Sequence, residues 1–428
     1  MGSTLDFLRD PIAELLRQHS IHGPIFRIRL GMQWATVIGG RAANRFTAES
    51  GYEVFSNETL FGSLIHDLGS PNNMVILEGD AHRAYRAIAL PSYSRETMVQ
   101  ALPLVDDTLR AYLTPLADGS VMDVFPTMQR IVSLQLGLGM NNLSVEGRLD
   151  SLQRYMRYLM NARLAGVWPK ATILLPSFRR ARRESHAVVH DVVKRHQADP
   201  PGDARAPGLI DRFLAAHVEN PTLFPLAAVR SAAFAPFLAG QDTVAATIAF
   251  LLAELCARAD LRERVQADVD RLFASGSLDP SGFRNARDLA ATMRETLRRY
   301  PVAPFLPKTT RVEFEFGGYR VPAGETVYLF QTQPHFDPQI FPDPFRFDID
   351  RPQPPPDVFT PYGAGPHKCI GADISELQVI ANVATLMHLA EFDVTPSDYR
   401  LRINTMPVAP KGFSLRIRKR RSAWSEAS

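Results

Sequence analysis

One cysteine near the C-terminal end of the chain lies in a glycine-rich turn. The stretch from Thr360 to Gly371 reads TPYGAGPHKCIG, and a helical pattern begins directly after it, at Ala372. Glycines at this spacing indicate a backbone that turns tightly and lets another group approach closely. A thiolate just ahead of a helix is stabilised by outward-pointing backbone N–H groups and by the helix dipole. Cys369 is therefore a candidate anionic axial ligand for haem iron, and the alternative is an ordinary buried thiol.

The longest apolar run of the chain is interrupted by polar residues. Leu226 to Ala259 is predicted to form one long helix, with Gln241 and Asp242 near its middle. A charge at the centre of a bilayer is costly, so the run is interpreted as a core helix and not as a transmembrane span. Pro236 lacks a backbone N–H and crowds the preceding turn, which predicts a kink ahead of Gly240.

Three residues on this helix form a candidate catalytic group, namely Gly240, Asp242 and Thr243. A glycine lets a ligand approach the backbone. A threonine hydroxyl can hydrogen-bond back to a helix carbonyl and open the hydrogen-bond ladder, and the neighbouring acid can relay protons. The alternative is a glycine and a polar pair placed in the helix by chance.

Charged residues at helical spacing occur in two further places. His82 and Arg86 are four residues apart, and Glu295 and Arg298 are three apart on a helix that ends before Pro301. Taken alone, His82 and Arg86 are compatible with a solvated helix face. Taken alone, Glu295 and Arg298 are compatible with a surface ion pair, which would contribute little to stability.

The composition excludes several functional classes. The chain has 428 residues, with 48 Lys and Arg against 45 Asp and Glu, and a formal net charge of +3 is too balanced to indicate nucleic-acid binding. Two cysteines cannot build a disulfide framework, and neither has the Cys or His neighbours of a zinc site. Cys256 is interpreted as a core thiol. The N-terminal residues show no apolar signal region, which predicts a cytoplasmic protein.

Together these motifs resemble those of the cytochromes P450. The Cys369 loop has that family's aromatic residue, two glycines, basic residue, cysteine and further glycine at the same spacing, with Tyr362 where the family usually has phenylalanine. Residues 239–243 are similar to the oxygen-binding segment of the family's central helix. The resemblance implies a mainly α fold with small β-sheets, formed as a single domain over residues 1–428. It also implies a haem held between the long helix and the Cys369 loop.

The resemblance assigns roles to residues along the chain. The implied haem contacts are the iron ligand Cys369 with His82, Arg86, Lys308, Tyr362, Gly363, Gly365, His367 and Gly371. Lys308 or the nearby Arg311 would bind the second haem propionate. The implied structural lock consists of Glu295, Arg298 and Arg351. The implied substrate pocket is apolar and consists of Leu64, Ile65, Phe237, Leu238, Ala239, Val302, Phe305 and Met406.

Periodicity predicts the elements that position these residues. The predicted helices lie at 10–19, 41–50, 97–117, 150–164 and 178–198, with further helices opening at 79 and 372. The predicted strands lie at 26–30 and 34–38, with two short strands within 316–328 and a terminal strand from 416. Residues 61–78 show no sustained period and are predicted to form a long loop over a pocket.

The resemblance implies a monooxygenase with haem b as its cofactor. It would insert one oxygen atom from O2 into a largely apolar small molecule, using electrons from ferredoxin and its reductase or from a flavodoxin-type donor. A monomer in the cytoplasm, with a role in secondary metabolism and no nucleic-acid partner, is expected. The alternatives are a P450-fold peroxygenase or isomerase and a haem-binding sensor without turnover. The Asp242–Thr243 pair argues against the peroxygenase or isomerase, because oxygen activation needs that pair.

Overall fold

The computed structural model describes residues 2–31, 33–70, 72–164, 168–202, 205–395, 408–410 and 412–421. Helices predominate over these residues, as the sequence predicts. The helices are α1 (Gly2–Arg9), α2 (Pro11–His22), α3 (Arg41–Val54), α4 (Glu58–Asp67), α5 (Gly79–Ala89), α6 (Arg95–Leu113), α7 (Val124–Asn141), α8 (Leu149–Tyr158), α9 (Pro176–Ala198), α10 (Leu209–Glu219), α11 (Leu226–Ala257), α12 (Ala259–Leu272), α13 (Arg287–Arg299) and α14 (Ala372–Leu389). A π-helical turn, Leu159–Leu164, continues α8.

The strands form three small sheets. They are β1 (Ile25–Leu30), β2 (Gln33–Gly39), β3 (Phe55–Ser56), β4 (Val121–Asp123), β5 (Leu306–Thr310), β6 (Phe314–Phe316), β7 (Tyr319–Val321), β8 (Thr326–Phe330), β9 (Ala390–Thr395) and β10 (Ser414–Arg420). The largest sheet has the order β1-β2-β8-β5-β3, in which only β2 and β8 run parallel. The second has the order β4-β10-β9, and β6 with β7 makes a hairpin. This hairpin turns at Gly317 and Gly318, which both have positive φ, so glycine is needed there.

Helix α11 lies in the core of the molecule. It is apolar on all sides, as expected for a helix enclosed by other helices, and it packs against α7, α9, α10 and α14. By length and composition α11 could cross a membrane, but 67% of its most apolar window is buried inside the protein, which is typical of a core helix. The helix continues through Pro236 without interruption. Because proline supplies no N–H, the hydrogen bond to the carbonyl of Ala232 is lost at this point.

The predicted loop at 61–78 is partly wrong, because α4 occupies Glu58–Asp67 and only the segment after it is irregular. The helix is short and contains Gly62, a poor helix former, so its period was not visible in the sequence. Leu64 and Ile65 are completely buried on its inner face. Packing of that face, and not local propensity, stabilises the helix.

Candidate functional site

The Cys369 loop is closed by two backbone hydrogen bonds. The N–H of Cys369 donates to the carbonyl of Tyr362 at 2.8 Å, and the N–H of Lys368 donates to that of Gly365 at 3.0 Å. Gly363 and Gly365 have φ of +81° and +76°. A Cβ on Gly365 would lie 2.4 Å from the carbonyl oxygen of Thr47 on α3. Both conformation and space therefore require glycine at this position.

The Cys369 thiol is accessible and yet closely surrounded by protein. Its side chain is exposed, but burial raises the pKa of the thiol above its usual value. The backbone N–H of Gly371 hydrogen-bonds to the sulfur, and the charges of Arg86 and Lys368 also act to lower that pKa. A sulfur with an N–H donor and two cations nearby can be held as a thiolate once a metal takes the place of its proton. Cys256, in contrast, is half-buried on α11, and burial raises the pKa of its thiol to about 11.

Two histidine rings from distant parts of the chain, one of them in this loop, contact each other. The rings of His82 on α5 and His367 have centroids 4.2 Å apart. The hydroxyl of Tyr52 lies 2.7 Å from Nδ1 of His82, and Oε2 of Glu78 lies 3.0 Å from Nε2 of His367. Nδ1 of His367 also lies 3.4 Å from Nδ2 of Asn57. His82 therefore has one ring nitrogen fixed by a protein partner and His367 has both, which sets the orientation of the rings.

Lys308 on β5 is buried within reach of the two histidines. Its Nζ donates to Oδ1 of Asn57 at 2.7 Å, and burial lowers its pKa to about 8. Burial and the neighbouring charges of His367 and Arg86 lower the pKa of His82 to about 4. The Arg86 guanidinium donates to the carbonyl of Lys368 at 2.8 Å. Among the described residues Glu78 is the carboxylate that contacts this cluster, so the site has capacity for further anions.

The cluster fits the carboxylates of a haem. Four side chains that can carry positive charge, His82, Arg86, Lys308 and His367, meet at the Cys369 loop. Burial lowers the pKa of His82, His367 and Lys308, and neighbouring cations add to this effect for the two histidines. Anionic groups would relieve both effects. The alternative propionate ligand, Arg311, donates to the carbonyl of Tyr52 at 2.7 Å and is less enclosed than Lys308.

In the middle of α11, which is continuous there, the Thr243 hydroxyl bonds back to the preceding turn. The Thr243 hydroxyl lies 2.8 Å from the carbonyl of Ala239 and 3.3 Å from that of Gly240. Ala239 is exposed, although residues on either side of it along α11 are buried in the core. Surface that is accessible in the middle of a core helix faces an internal space. Gly240 lies so close to Leu136 that an added Cβ would meet its Cδ1 at 3.1 Å.

Asp242 has its carboxyl at the interface with α7. Its Oδ1 accepts a hydrogen bond from Nε2 of Gln129 at 2.7 Å. Part of its surface remains accessible, but the surrounding protein is dense enough that burial raises the pKa of the carboxyl.

The expected pocket residues differ in their surroundings. Leu64, Ile65 and Phe237 are completely buried, whereas Leu238 is half-buried and Ala239 is exposed. Val302 belongs to the main core, while Phe305 packs against Phe7 and Tyr328 in the core of the largest sheet. Met406 lies outside the described residues. Leu238 and Ala239 are therefore the members of this set that keep accessible surface on α11.

The expected structural lock is assembled. Arg298 donates to both carboxylate oxygens of Glu295 at 2.8 Å, and Nε of Arg351 donates to Oε1 at 3.3 Å. Arg298 also donates to the carbonyl of His335 at 2.7 Å. Nε2 of His335 in turn accepts from the N–H of Thr360 at 3.0 Å. This chain of contacts connects the lock to the residue at which the Cys369 loop begins.

Four residues near the expected haem and proton-relay groups were not found by sequence reasoning, namely Tyr52, Asn57, Glu78 and Gln129. Each belongs to an element other than the one it serves, and its sequence separation from its partner ranges from 30 residues for Tyr52 and His82 to 289 for Glu78 and His367. Glu78 alone carried a local signal, since it directly precedes α5 and is its N-cap residue.

Comparisons with known proteins agree with this geometry. A family model described as Cytochrome P450 matches residues 1–420. The putative cytochrome P450 120 of Synechocystis sp. is 26% identical over 428 residues, covering 98% of this chain and 94% of that protein. Cyclooctat-9-en-7-ol 5-monooxygenase of Streptomyces melanosporofaciens is 25% identical over 401 residues, covering 90% and 86%. The solved structure of retinoic-acid-bound cyanobacterial CYP120A1 matches with a TM-score of 0.83 at 23% identity, covering 98% of this chain and 96% of that one.

Proposed function

The chain belongs to the cytochrome P450 family and is a P450 monooxygenase, and we propose that it hydroxylates a largely apolar small molecule with electrons from a separate donor protein. Its prosthetic group is proposed to be haem b. The whole chain is proposed to form a single domain that contains one haem site. The observation that carries the proposal is the polar pair in the middle of α11. The back-bonded Thr243 and the largely enclosed acid Asp242 are adjacent on this core helix, next to the accessible surface of Ala239.

The residues are proposed to hold the haem as follows. Cys369 ligates the iron, and the N–H of Gly371 supports the thiolate charge. His82, Arg86, Lys308 and His367 bind the propionates. The haem, when bound, supplies the oxygen-activating chemistry, for which a thiolate ligand is suited. Tyr362, Gly363 and Gly365 shape the loop and do not take part in the reaction.

The protein's share of the chemistry is proposed to be proton transfer and exclusion of water. Thr243 can turn its hydroxyl away from the Ala239 carbonyl and hold a reacting oxygen or a water. Asp242, whose pKa is raised by burial, is proposed to exchange protons with solvent. A peroxygenase or isomerase would not need these two groups together.

An electron donor with an acidic docking face is proposed, either a ferredoxin with its reductase or a flavodoxin-type protein. Lys368 is exposed next to the iron ligand, and Arg83 is largely exposed on α5. Such steering weakens as salt screens the charges. Nicotinamide consumption with added donor should therefore slow as ionic strength rises, and Lys368→Glu should slow it at low salt.

The proposed iron ligand is tested by one pair of variants. Cys369→Ser is expected to lose the thiolate-type absorption of the reduced carbonyl complex, while Cys256→Ser keeps it, because Cys256 lies on α11 in the protein core. An unchanged spectrum in the Cys369 variant would refute the assignment.

The substrate is tested by a screen for ligand-induced changes in iron spin state. Retinoic acid and cyclooctat-9-en-7-ol are starting compounds, since they are named for two similar proteins. Compounds with a large apolar portion are expected to shift the spin state, and analogues of the same size with charges along that portion are not. Turnover then requires substrate-dependent nicotinamide oxidation with the donor present. A substrate that binds without any such turnover would favour a sensor.

A further inference from the structure

The carboxyl of Asp242 and the hydroxyl of Thr243 leave α11 in different directions. Consecutive residues of a helix are about 100° apart around its axis. The Thr243 hydroxyl turns back to the carbonyls of Ala239 and Gly240. The Asp242 carboxyl is instead fixed on the α7 side, where Nε2 of Gln129 donates to Oδ1 at 2.7 Å. The Asp242 carboxyl is thus hydrogen-bonded to α7, a different helix from the one that carries Thr243.

Gln129 lies on α7 at its contact with α11. The Ser133 hydroxyl, one turn further along, lies 2.6 Å from the Gln129 carbonyl and 2.9 Å from Oε1 of Gln241. Helices α7 and α11 make the most extensive helix–helix contact of the described chain. Ser133 thus contacts the backbone of Gln129, while the hydrogen bond to Oδ1 of Asp242 is made by the Gln129 amide across the α7–α11 interface.

The hydrogen bond from Gln129 affects the pKa of Asp242. Burial raises the pKa of the carboxyl, and two groups oppose that effect, first the Gln129 amide and second the Arg157 guanidinium on α8. Arg130, next to Gln129 on α7, is paired with Asp150 of α8. An amide donor stabilises the charged form of a carboxyl but cannot exchange a proton with it. With Oδ1 occupied by this donor, Oδ2 is the oxygen that takes up and releases protons.

We propose that Gln129 is a positioning residue that holds the Asp242 carboxyl by Oδ1 and sets the pH range in which Oδ2 passes protons toward Thr243. The inference rests on the proposed monooxygenase function, since it concerns proton delivery in that reaction. In each cycle a proton moves from solvent water to Oδ2 and from Oδ2 through water to the Thr243 side. Asp242 returns to its starting charge.

The test is a series of four substitutions followed by infrared titration of the haem-loaded protein. The C=O band of protonated Asp242 is assigned by its absence in Asp242→Asn and followed against pH. Gln129→Met keeps the side-chain volume and removes the donor, so the titration midpoint should rise by about one to two pH units. Gln129→Glu should raise it further, because two adjacent carboxyls cannot both ionise. Ser133→Ala, which removes a hydroxyl from the same interface without touching Asp242, should leave it unchanged.

A second readout is product formed per nicotinamide oxidised, measured across the same pH range. Its midpoint should move with the infrared midpoint in the two Gln129 variants and stay in place in Ser133→Ala. Adding Gln129→Met to Asp242→Asn should produce no further change. An unshifted band in Gln129→Met would overturn the proposal, and so would a shifted band with an unmoved coupling profile. Failure of the wild-type enzyme to form product would refute the proposed function while the infrared series still decided the role of Gln129.

Discussion

The Thr243 hydroxyl can hydrogen-bond either to the carbonyls of its own helix or to a bound ligand. In the structure it hydrogen-bonds to the Ala239 and Gly240 carbonyls, which are 2.8 and 3.3 Å away. Such a back-bond is weak compared with a regular helix hydrogen bond and bends the helix slightly. The hydroxyl can therefore leave it for a ligand at small cost. The neighbouring acid, Asp242, is directed toward α7, so in the proposed role it would supply the proton without itself lying against the ligand.

Two variants separate these roles. Thr243→Ala is expected to keep haem and substrate binding but to divert a several-fold larger share of reducing equivalents to hydrogen peroxide, because the oxygen is no longer held for protonation. Asp242→Asn should slow turnover about 100-fold, since its amide cannot exchange protons. The measurement is product per nicotinamide oxidised, with peroxide counted in parallel. If Thr243→Ala still formed one product per nicotinamide oxidised, the hydroxyl would contribute only to hydrogen bonding within the helix.

At the scale of elements, the Cys369 loop depends on α3 as well as on α14. Gly365 lies against the Thr47 carbonyl, and Pro366 packs against Gly51 of the same helix. The loop itself was predictable, because glycines and the cysteine are adjacent in sequence. Its contact with α3 was not, since more than 300 residues separate the two and neither side carries a local signal. The same holds for Gln129 and Asp242, whose separation is 113 residues.

Gly365→Ala is expected to destabilise the loop and to abolish haem binding. The positive φ costs about 1–2 kcal/mol for a non-glycine residue, and the clash with the Thr47 carbonyl adds about 1–3 kcal/mol. Gly276→Ala is the matched control, because Gly276 has φ of +88° and nothing within 4 Å of the added Cβ. Chemical unfolding and haem retention would be measured in both. Equal losses would mean that backbone conformation, and not the close contact with α3, is decisive.

The lock on α13 shows the same division between local and long-range information. The spacing of Glu295 and Arg298 predicts a pair on one helix face. Its burial, and its connection through His335 to Thr360, depend on segments that the helix sequence does not specify. Arg298 is also placed over the ring of Phe341. Burial distinguishes this pair from the many exposed pairs with the same spacing.

Arg298→Met should lower the free energy of unfolding by about 3–5 kcal/mol, because Glu295 would remain buried with an incomplete set of partners. Arg320→Met is the control, since the Arg320–Glu313 pair is exposed and its loss should not be measurable. Urea unfolding of the two variants decides the point. A small effect of Arg298→Met would mean that Arg351 alone is sufficient to satisfy the Glu295 carboxylate.

At the scale of the whole molecule, the haem is expected to complete the core. His82, His367 and Lys308 come from α5, the Cys369 loop and β5, so the cluster joins distant segments of the chain. Most helices and the strands β1 and β2 could be predicted from periodicity. The position of α4 could not, because its inner face is stabilised by contacts made only after the chain has folded. The charged cluster likewise becomes a site only when these three segments meet.

Acid stability should therefore depend on haem through His82. Its pKa is about 4 in the folded chain against 6.5 for an unperturbed histidine, so the unfolded chain binds more protons between these values. The haem-free protein should lose about 3 kcal/mol of unfolding free energy as pH falls from 6.5 to 4. Haem propionates bound by this cluster would stabilise the protonated ring, so the loss should be smaller in the loaded protein. His82→Gln should flatten the haem-free pH profile, whereas replacing the exposed His190 by Gln should not. Urea unfolding at several pH values measures this, and equal slopes with and without haem would show that the cluster does not receive the propionates.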